Sequence, residues 1–351
     1  MDLFIRAGNK AFEMIKDRGF DFDQITTYVG PANGSKWLIA SGFDLPLLKS
    51  GVLGNAKPVL LSGTSVGAWR FAAWLQPEPA KSYESLIEAY ISLACAPNDN
   101  PGTVMDKMSS IINSYIDDDA LPFALNNKRY RLSVITARSL LLNKSDVLWV
   151  QKLGLLLASL GNSLSPFFLN YFFERIVFYY APLPPRFCLQ KGFKGKAIPL
   201  NTINFKDALI ASAAVPLRVK GIRDIYGAPN GIYRSGALFD YHLNQEYQTK
   251  ENEITLLFHH QKAIAPGCFD RNNKSRWLTG PKLDNVLLIY PTRDFVRTLP
   301  KGKMPNLADF MKNPQERVEN WRKVVNSSSI LGDQFLELVH SSKFPEAVRK
   351  L

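Results

Sequence analysis

The sequence predicts an α/β fold built on a largely parallel sheet, and three observations carry that expectation. Short apolar runs of strand length alternate with stretches of helical periodicity. Several of those runs end in glycine-containing turns that lead straight into a helix. The chain has 351 residues, 46% hydrophobic and 21% charged, which is ample material for a large core and too apolar for a disordered chain. Strands separated by helices pair in parallel, because each crossover returns the chain in the same direction.

The elements follow in order. Met1 to Lys16 mixes Asp2, Arg6, Lys10 and Glu13 with apolar residues. It lacks the continuous apolar core of a secretory leader and reads as an amphipathic helix. Ile25-Thr26-Thr27-Tyr28-Val29 is a strand ending at Gly30-Pro31, and Gly34-Ser35-Lys36 leads into a helix near Trp37 to Leu48. Pro58-Val59-Leu60-Leu61 is the next strand, with a helix after Ala68. Tyr130 to Thr136 is a third strand. Phe205 to Ala214 is a helix stopped by Pro216, because proline cannot continue the hydrogen-bond ladder. Ile232-Tyr233-Arg234 is a short strand into Ser235-Gly236, and Glu253 to Phe258 and Asn285 to Tyr290 are two more.

No linker, repeat or low-complexity tract divides the chain, so 1–351 reads as one domain. It carries an apolar helical insertion at about 150–182 and a helical C-terminal region at about 305–351. Leu153 to Tyr180 is interrupted by Gly154, Gly161-Asn162, Ser165-Pro166 and Glu174-Arg175. Its apolar runs are too short to cross a bilayer, and a helical hairpin is expected. Such a segment can dock on a lipid surface, with Lys152 and Arg175 facing anionic headgroups. Packing on the sheet is the plainer expectation.

Net charge is +12, with Lys and Arg scattered along the chain. Neither a zinc-finger spacing nor an RNA-binding signature accompanies it, so no nucleic-acid partner is expected. Cys95, Cys188 and Cys268 are few, odd in number and far apart. That fits a reducing, cytoplasmic compartment rather than a disulfide framework. Metal-ligand spacing is not evident, and neither a metal nor another cofactor is expected.

The chemistry concentrates at strand ends, where open α/β sheets place their ligands. Gly63-Thr64-Ser65-Val66-Gly67 matches G-x-S-x-G between a strand and a helix. A serine on such a turn is lifted off the sheet, and the tight bend requires small neighbours such as Gly63 and Gly67. The N–H of Val66 and the helix N-terminus then face a developing oxyanion. Gly30-Pro31-Ala32-Asn33-Gly34-Ser35-Lys36 is a second glycine-bearing loop before a helix. It lacks the spacing of a P-loop or a dinucleotide fingerprint. Its N–H groups suit either a phosphate or an oxyanion, and the elbow that follows favours the oxyanion.

A glycine-rich loop, then G-x-S-x-G, then a distant D-G-[GA]-like turn resembles the patatin-like phospholipases, and most closely a bacterial branch of them. The similar stretches are Lys36-Trp37-Leu38, Ala68-Trp69-Arg70-Phe71, Phe172-Phe173-Glu174-Arg175, Ala211 to Pro216, Asp240-Tyr241-His242 and Leu283 to Leu288. They run from about Tyr28 to Trp321. The resemblance implies a three-layer α/β/α fold and a Ser–Asp dyad that hydrolyses lipid or phospholipid esters; the expectation of peripheral membrane contact rests on the apolar segment at 150–182. Ser65 would be the nucleophile of this carboxylic ester hydrolase. Backbone groups of Asn33, Gly34, Ser35 and Val66 would form the oxyanion hole, and Lys36 would hold the family's basic, substrate-facing position.

One position departs from that pattern. The D-G-[GA] turn falls on Ser235-Gly236-Ala237, so the dyad aspartate is a serine, and a hydroxyl is no base near neutral pH. Asn33 also stands where relatives often have glycine. Asp240 lies five residues beyond Ser235, but the family has an aspartate there in addition to the dyad one. It reads as structural, a helix cap or a partner of His242, more than as a substitute base. His259, His260 and His340 are alternative bases with no well-placed acid before them, and read as structural. Three explanations of Ser235 stand open: catalysis lost with lipid or partner binding kept, slow catalysis by Ser65 alone, or an engineered change.

Overall fold

The computed structural model describes residues 1–96, 98–247, 252–341 and 343–351. Its strands are β1 (Leu3–Ala7), β2 (Ile25–Gly30), β3 (Val59–Thr64), β4 (Tyr130–Ser139), β5 (Phe173–Tyr180), β6 (Gly195–Pro199), β7 (Ile222–Arg223), β8 (Ile232–Ser235), β9 (Ile254–Phe258), β10 (Val286–Pro291) and β11 (Arg349–Lys350). They form one sheet in the order β11-β1-β10-β9-β2-β3-β4-β5-β6, with β8 paired to β4 and β7 to β8. The centre, β10-β9-β2-β3-β4, is parallel. These strands are near-continuous apolar runs, as expected of strands covered on both faces.

Successive residues serve opposite faces of the sheet. Tyr28, Leu61, Leu132, Leu256 and Leu287 join the larger core, against α1 (Asn9–Arg18), α2 (Trp37–Ser50), α3 (Val66–Trp74) and the helices Pro79–Ser92, Phe205–Ala213, Pro314–Ser328 and Ile330–His340. Val29, Ile135, Leu257 and Leu288 face a smaller core with Phe187, Leu243, Tyr247 and Ile264. The architecture is α/β with a mostly parallel central sheet flanked by helices, consistent with three α/β/α layers.

Two expectations need correction. The first segment is not one helix. Leu3–Ala7 pairs antiparallel with β10 and α1 begins only at Asn9. In it Leu3, Ile5 and Ala7 are buried while Phe4 is exposed, a period of two hidden in a charged N-terminus. The expected hairpin at 150–182 is helical only in its first part, Leu148–Leu164 and short turns to Phe172. Phe173–Tyr180 is a sheet strand, antiparallel to β4 from Leu132↔Tyr180 to Ser139↔Phe173. Its run of β-branched and aromatic residues favours that state. No helix among the described residues is long and apolar enough to cross a membrane. The three cysteines are unpaired.

Candidate active site

Ser65 sits at the junction of β3 and α3 with φ 58° and ψ −132°. A side-chain-bearing residue rarely adopts a positive φ, and holding one there costs about 1–3 kcal/mol. The surroundings impose it. A β-carbon on Gly67 would lie 1.9 Å from the Gly30 carbonyl oxygen, and one on Gly63 would lie 2.4 Å from the Ala68 backbone. Only glycine lets strand, turn and helix approach this closely. The same contact seats the start of the second loop against the first turn of α3.

The Ser65 N–H donates to Ser212 Oγ at 2.8 Å, and that hydroxyl donates to the Ile135 carbonyl at 2.7 Å. Ser212 is fully buried. It ties the strained residue to β4, a role that the Ala211 to Pro216 stretch gave no sequence signal for. Ser65 is partly exposed, and its Oγ has no hydrogen-bond partner among the described residues. The leading N–H groups of α3, Val66 first, have no carbonyl one turn back within the helix.

In the loop after β2, the Asn33 N–H already donates to the Pro31 carbonyl at 3.0 Å, and Ala32 N–H donates to the Tyr241 carbonyl at 2.7 Å. Gly34 (φ 52°) turns the chain under Leu307, and the Gly34 and Ser35 N–H groups remain as the loop's uncommitted donors. Asn33 adopts an ordinary φ of −92°, so a side chain in place of glycine is accommodated. Its Oδ1 is buried without a donor. Ser35 Oγ pairs with Tyr90 OH at 3.1 Å.

Ser235 lies on the same flank of β4 as Ser65. β3 ends with Thr64 opposite Ile135, and β8 ends with Ser235 opposite Thr136. Two strands thus arrive end to end along one side of β4, and the two serines stand where they meet. The Ser235 N–H donates to the Ala214 carbonyl at 2.9 Å, and its Oγ accepts from the Ala237 N–H at 3.3 Å. That oxygen serves its own turn, and no hydrogen bond joins it to Ser65.

Asp240 is elsewhere engaged. It is buried, 3.2 Å from Arg175 Nε, and both carboxylate oxygens accept from the Gln245 amide, at 3.1 and 3.0 Å. Burial raises its pKa, opposed by the Arg175 charge. The expected pairing with His242 is absent: His242 Nδ1 instead accepts from the Ala265 N–H at 3.0 Å. Arg175, expected to reach a headgroup, is buried in this pair. His340 lies in the last turn of the Ile330–His340 helix.

The arginine of Ala68-Trp69-Arg70-Phe71 proves to be structural. Arg70 is fully buried and donates from Nε and NH2 to Asp44, at 2.7 and 2.9 Å, while Tyr28 and Tyr83 also donate to that carboxylate. A charge without water needs such partners; Arg70 Nη1 alone of its nitrogens is buried without one. The cluster locks β2, α2 and α3 together, and so fixes the loop relative to the elbow.

On the other side of the loop, His242, His259 and His260 come together at the end of β9. Sequence spacing does not bring His242 to the other two; the loop after Ser235 does. Lys36 Nζ lies 3.2 Å from His260 Nε2. Burial lowers the Lys36 pKa, helped by the Arg271 charge. Burial pushes His259 down to about 3 and His242 and His260 well below the usual histidine range.

Neither models of known protein families nor curated proteins give a match to this chain.

Proposed function

We propose that this chain is a serine acyl hydrolase of the patatin-like type, acting on lipid or phospholipid esters slowly because its nucleophile works without a carboxylate base. The observation that carries the reading is the strained Ser65 backbone, φ 58°, held by Gly63, Gly67 and Ser212 with its hydroxyl unspent. Strain of this kind persists where the surroundings enforce it, and it clusters at reactive sites.

In the proposed reaction Ser65 Oγ adds to the ester carbonyl carbon. The oxyanion takes hydrogen bonds from the N–H of Val66 and from the loop donors Gly34 and Ser35. The serine proton passes to hydroxide from the solvent, the alcohol leaves with a proton from water and so regenerates hydroxide, and a second water hydrolyses the acyl-serine.

A lipid substrate fits the surface on the same sheet edge. Helix Leu148–Leu164 follows β4 and leaves Trp149 69% and Leu164 79% exposed, with Leu153, Leu156 and Leu160 between them. An apolar helical face of this kind suits peripheral contact with a lipid surface.

Ser235 favours a second reading, a catalytically inactive protein of the same fold that binds lipid, a membrane or a protein partner. Ester turnover separates the two. Slow hydrolysis of a short-chain activated ester, lost in Ser65→Ala, supports the hydrolase. No turnover above the Ser65→Ala background in folded protein, with vesicle binding retained, supports the binding protein.

A further inference from the structure

We propose that His242, His259 and His260 form a divalent transition-metal site, of the kind that takes Zn²⁺, beside the Lys36 loop and separate from Ser65. The starting point is an accounting of ring nitrogens. His242 Nε2, His259 Nε2 and His260 Nδ1 are all buried without a partner. Each such atom loses its water on folding and gains nothing in return. Of the three, His259 Nε2 is a lone pair without a donor, since its Nδ1 carries the proton, and it is the atom of the cluster that calls for a cation.

The geometry fits an ion. Ring centroids are 4.1 Å apart for His242–His259, 4.2 Å for His259–His260 and 5.7 Å for His242–His260. One nitrogen from each ring lies within 4.8 Å of the others. Points this close share a centre no more than about 2.8 Å from any of them, against a zinc–imidazole distance of about 2.0–2.1 Å. Closing the difference requires the rings to rotate toward that centre. His259 is already held as ligating histidines are, with its Nδ1–H donating to the Gln261 carbonyl at 2.7 Å and its Nε2 lone pair free. An all-nitrogen set without a carboxylate suits Zn²⁺, Co²⁺, Ni²⁺ or Cu²⁺ and not Mg²⁺ or Ca²⁺.

Two groups must yield. His242 carries its proton on Nε2 while Nδ1 accepts from Ala265, so ligation surrenders that bond and turns a lone pair to the ion. Lys36 Nζ donates to His260 Nε2 at 3.2 Å, which puts that ring's proton on Nδ1; Lys36 withdraws and frees the Nε2 lone pair when the ion enters. Lys36 and the metal therefore exclude one another. This sets the proposal apart from an anion site, which would need Lys36.

The test uses the full chain, stripped with chelator and titrated with Co²⁺, followed by its visible ligand-field bands and by displacement with Zn²⁺. The expected result is one equivalent of Co²⁺ with nitrogen-ligated bands, displaced by Zn²⁺. His259→Ala and the isosteric His259→Gln each weaken binding at least tenfold, with circular dichroism reporting that one or both remain folded. Lys36→Met tightens binding severalfold, and exchange of the exposed His340 for Ala changes nothing. Absence of the bands, binding indifferent to both His259 variants, or binding lost in Lys36→Met overturns the proposal. Ser65→Ala leaves the titration unchanged, so the metal site and the hydrolase reading stand or fall separately.

Discussion

Ser65 and Ser235 reach β4 from opposite ends of the same flank, and the fold treats them differently. Around Ser65 the backbone is strained, Gly63 and Gly67 clear the space, and Ser212 takes the N–H at 2.8 Å, leaving the hydroxyl free. Around Ser235 the backbone is relaxed, φ −52° and ψ 130°, and the hydroxyl caps its own turn at Ala237. One corner holds a free hydroxyl at a cost in strain, and the other uses its hydroxyl oxygen in a local hydrogen bond. A scaffold can thus hold the backbone of a nucleophile elbow without placing a carboxylate beside it. Holding the elbow and supplying the base are separate physical tasks.

The contrast is broken most completely by Ser65→Ala. Hydrolysis of an activated ester is expected to fall to the buffer rate, with the melting temperature within a few degrees of the parent. Hydrolysis that survives this change would place the chemistry elsewhere.

Ser235→Asp sharpens the contrast by placing a carboxylate at the other corner. General-base assistance contributes about 10²–10⁴-fold, and the ester turnover number should rise within that range. The pH profile should change shape as well. In the parent, hydroxide must remove the proton, so the rate climbs about tenfold per pH unit with no break. In Ser235→Asp the rate should level off above the carboxylate's pKa, when the base is ionised. An unchanged slope would show that residue 235 does not face the serine.

Asp44→Ala tests the support beneath the elbow. It leaves the buried Arg70 guanidinium uncompensated, and loss of one partner of such a pair costs about 3–5 kcal/mol. Urea unfolding should show the loss, and a change below 1 kcal/mol would contradict the view that this cluster anchors α2 to α3.

The smallest effect is expected of Ser212→Ala, which strands the Ser65 N–H at about 1–3 kcal/mol. Acylation of Ser65 should slow by roughly tenfold, within that same energy range, and Ser212→Thr should recover part of it. Equal acylation rates in all three proteins would show that the elbow holds its shape without this bond.

Much of this was legible in the sequence, for reasons that differ by residue. The central strands declared themselves because parallel strands buried on both faces are unbroken apolar runs, as in Val286 to Tyr290. The elbow declared itself because its bend admits only glycine at two positions. β5 did not, since Phe173 to Tyr180 continues an apolar stretch whose first part is helical, and local propensity gives no boundary between them. β1 was masked by its charges, because Arg6 reaches solvent while Leu3, Ile5 and Ala7 turn inward. Ser212, Asp44 and the histidine cluster act through contacts across long stretches of chain, which spacing does not encode. Asp240 was legible as structural, but its partners, Arg175 and Gln245, depend on the strand that the sequence concealed.

The most direct measurement is intact-mass analysis of the unaltered chain after incubation with a fluorophosphonate, with peptide mapping of the adduct. The expected result is a single phosphonyl group on Ser65, added slowly and absent from Ser65→Ala. Folded protein that stays unlabelled through long incubation, or a label mapping to another serine, would contradict the claim that this elbow presents a competent nucleophile.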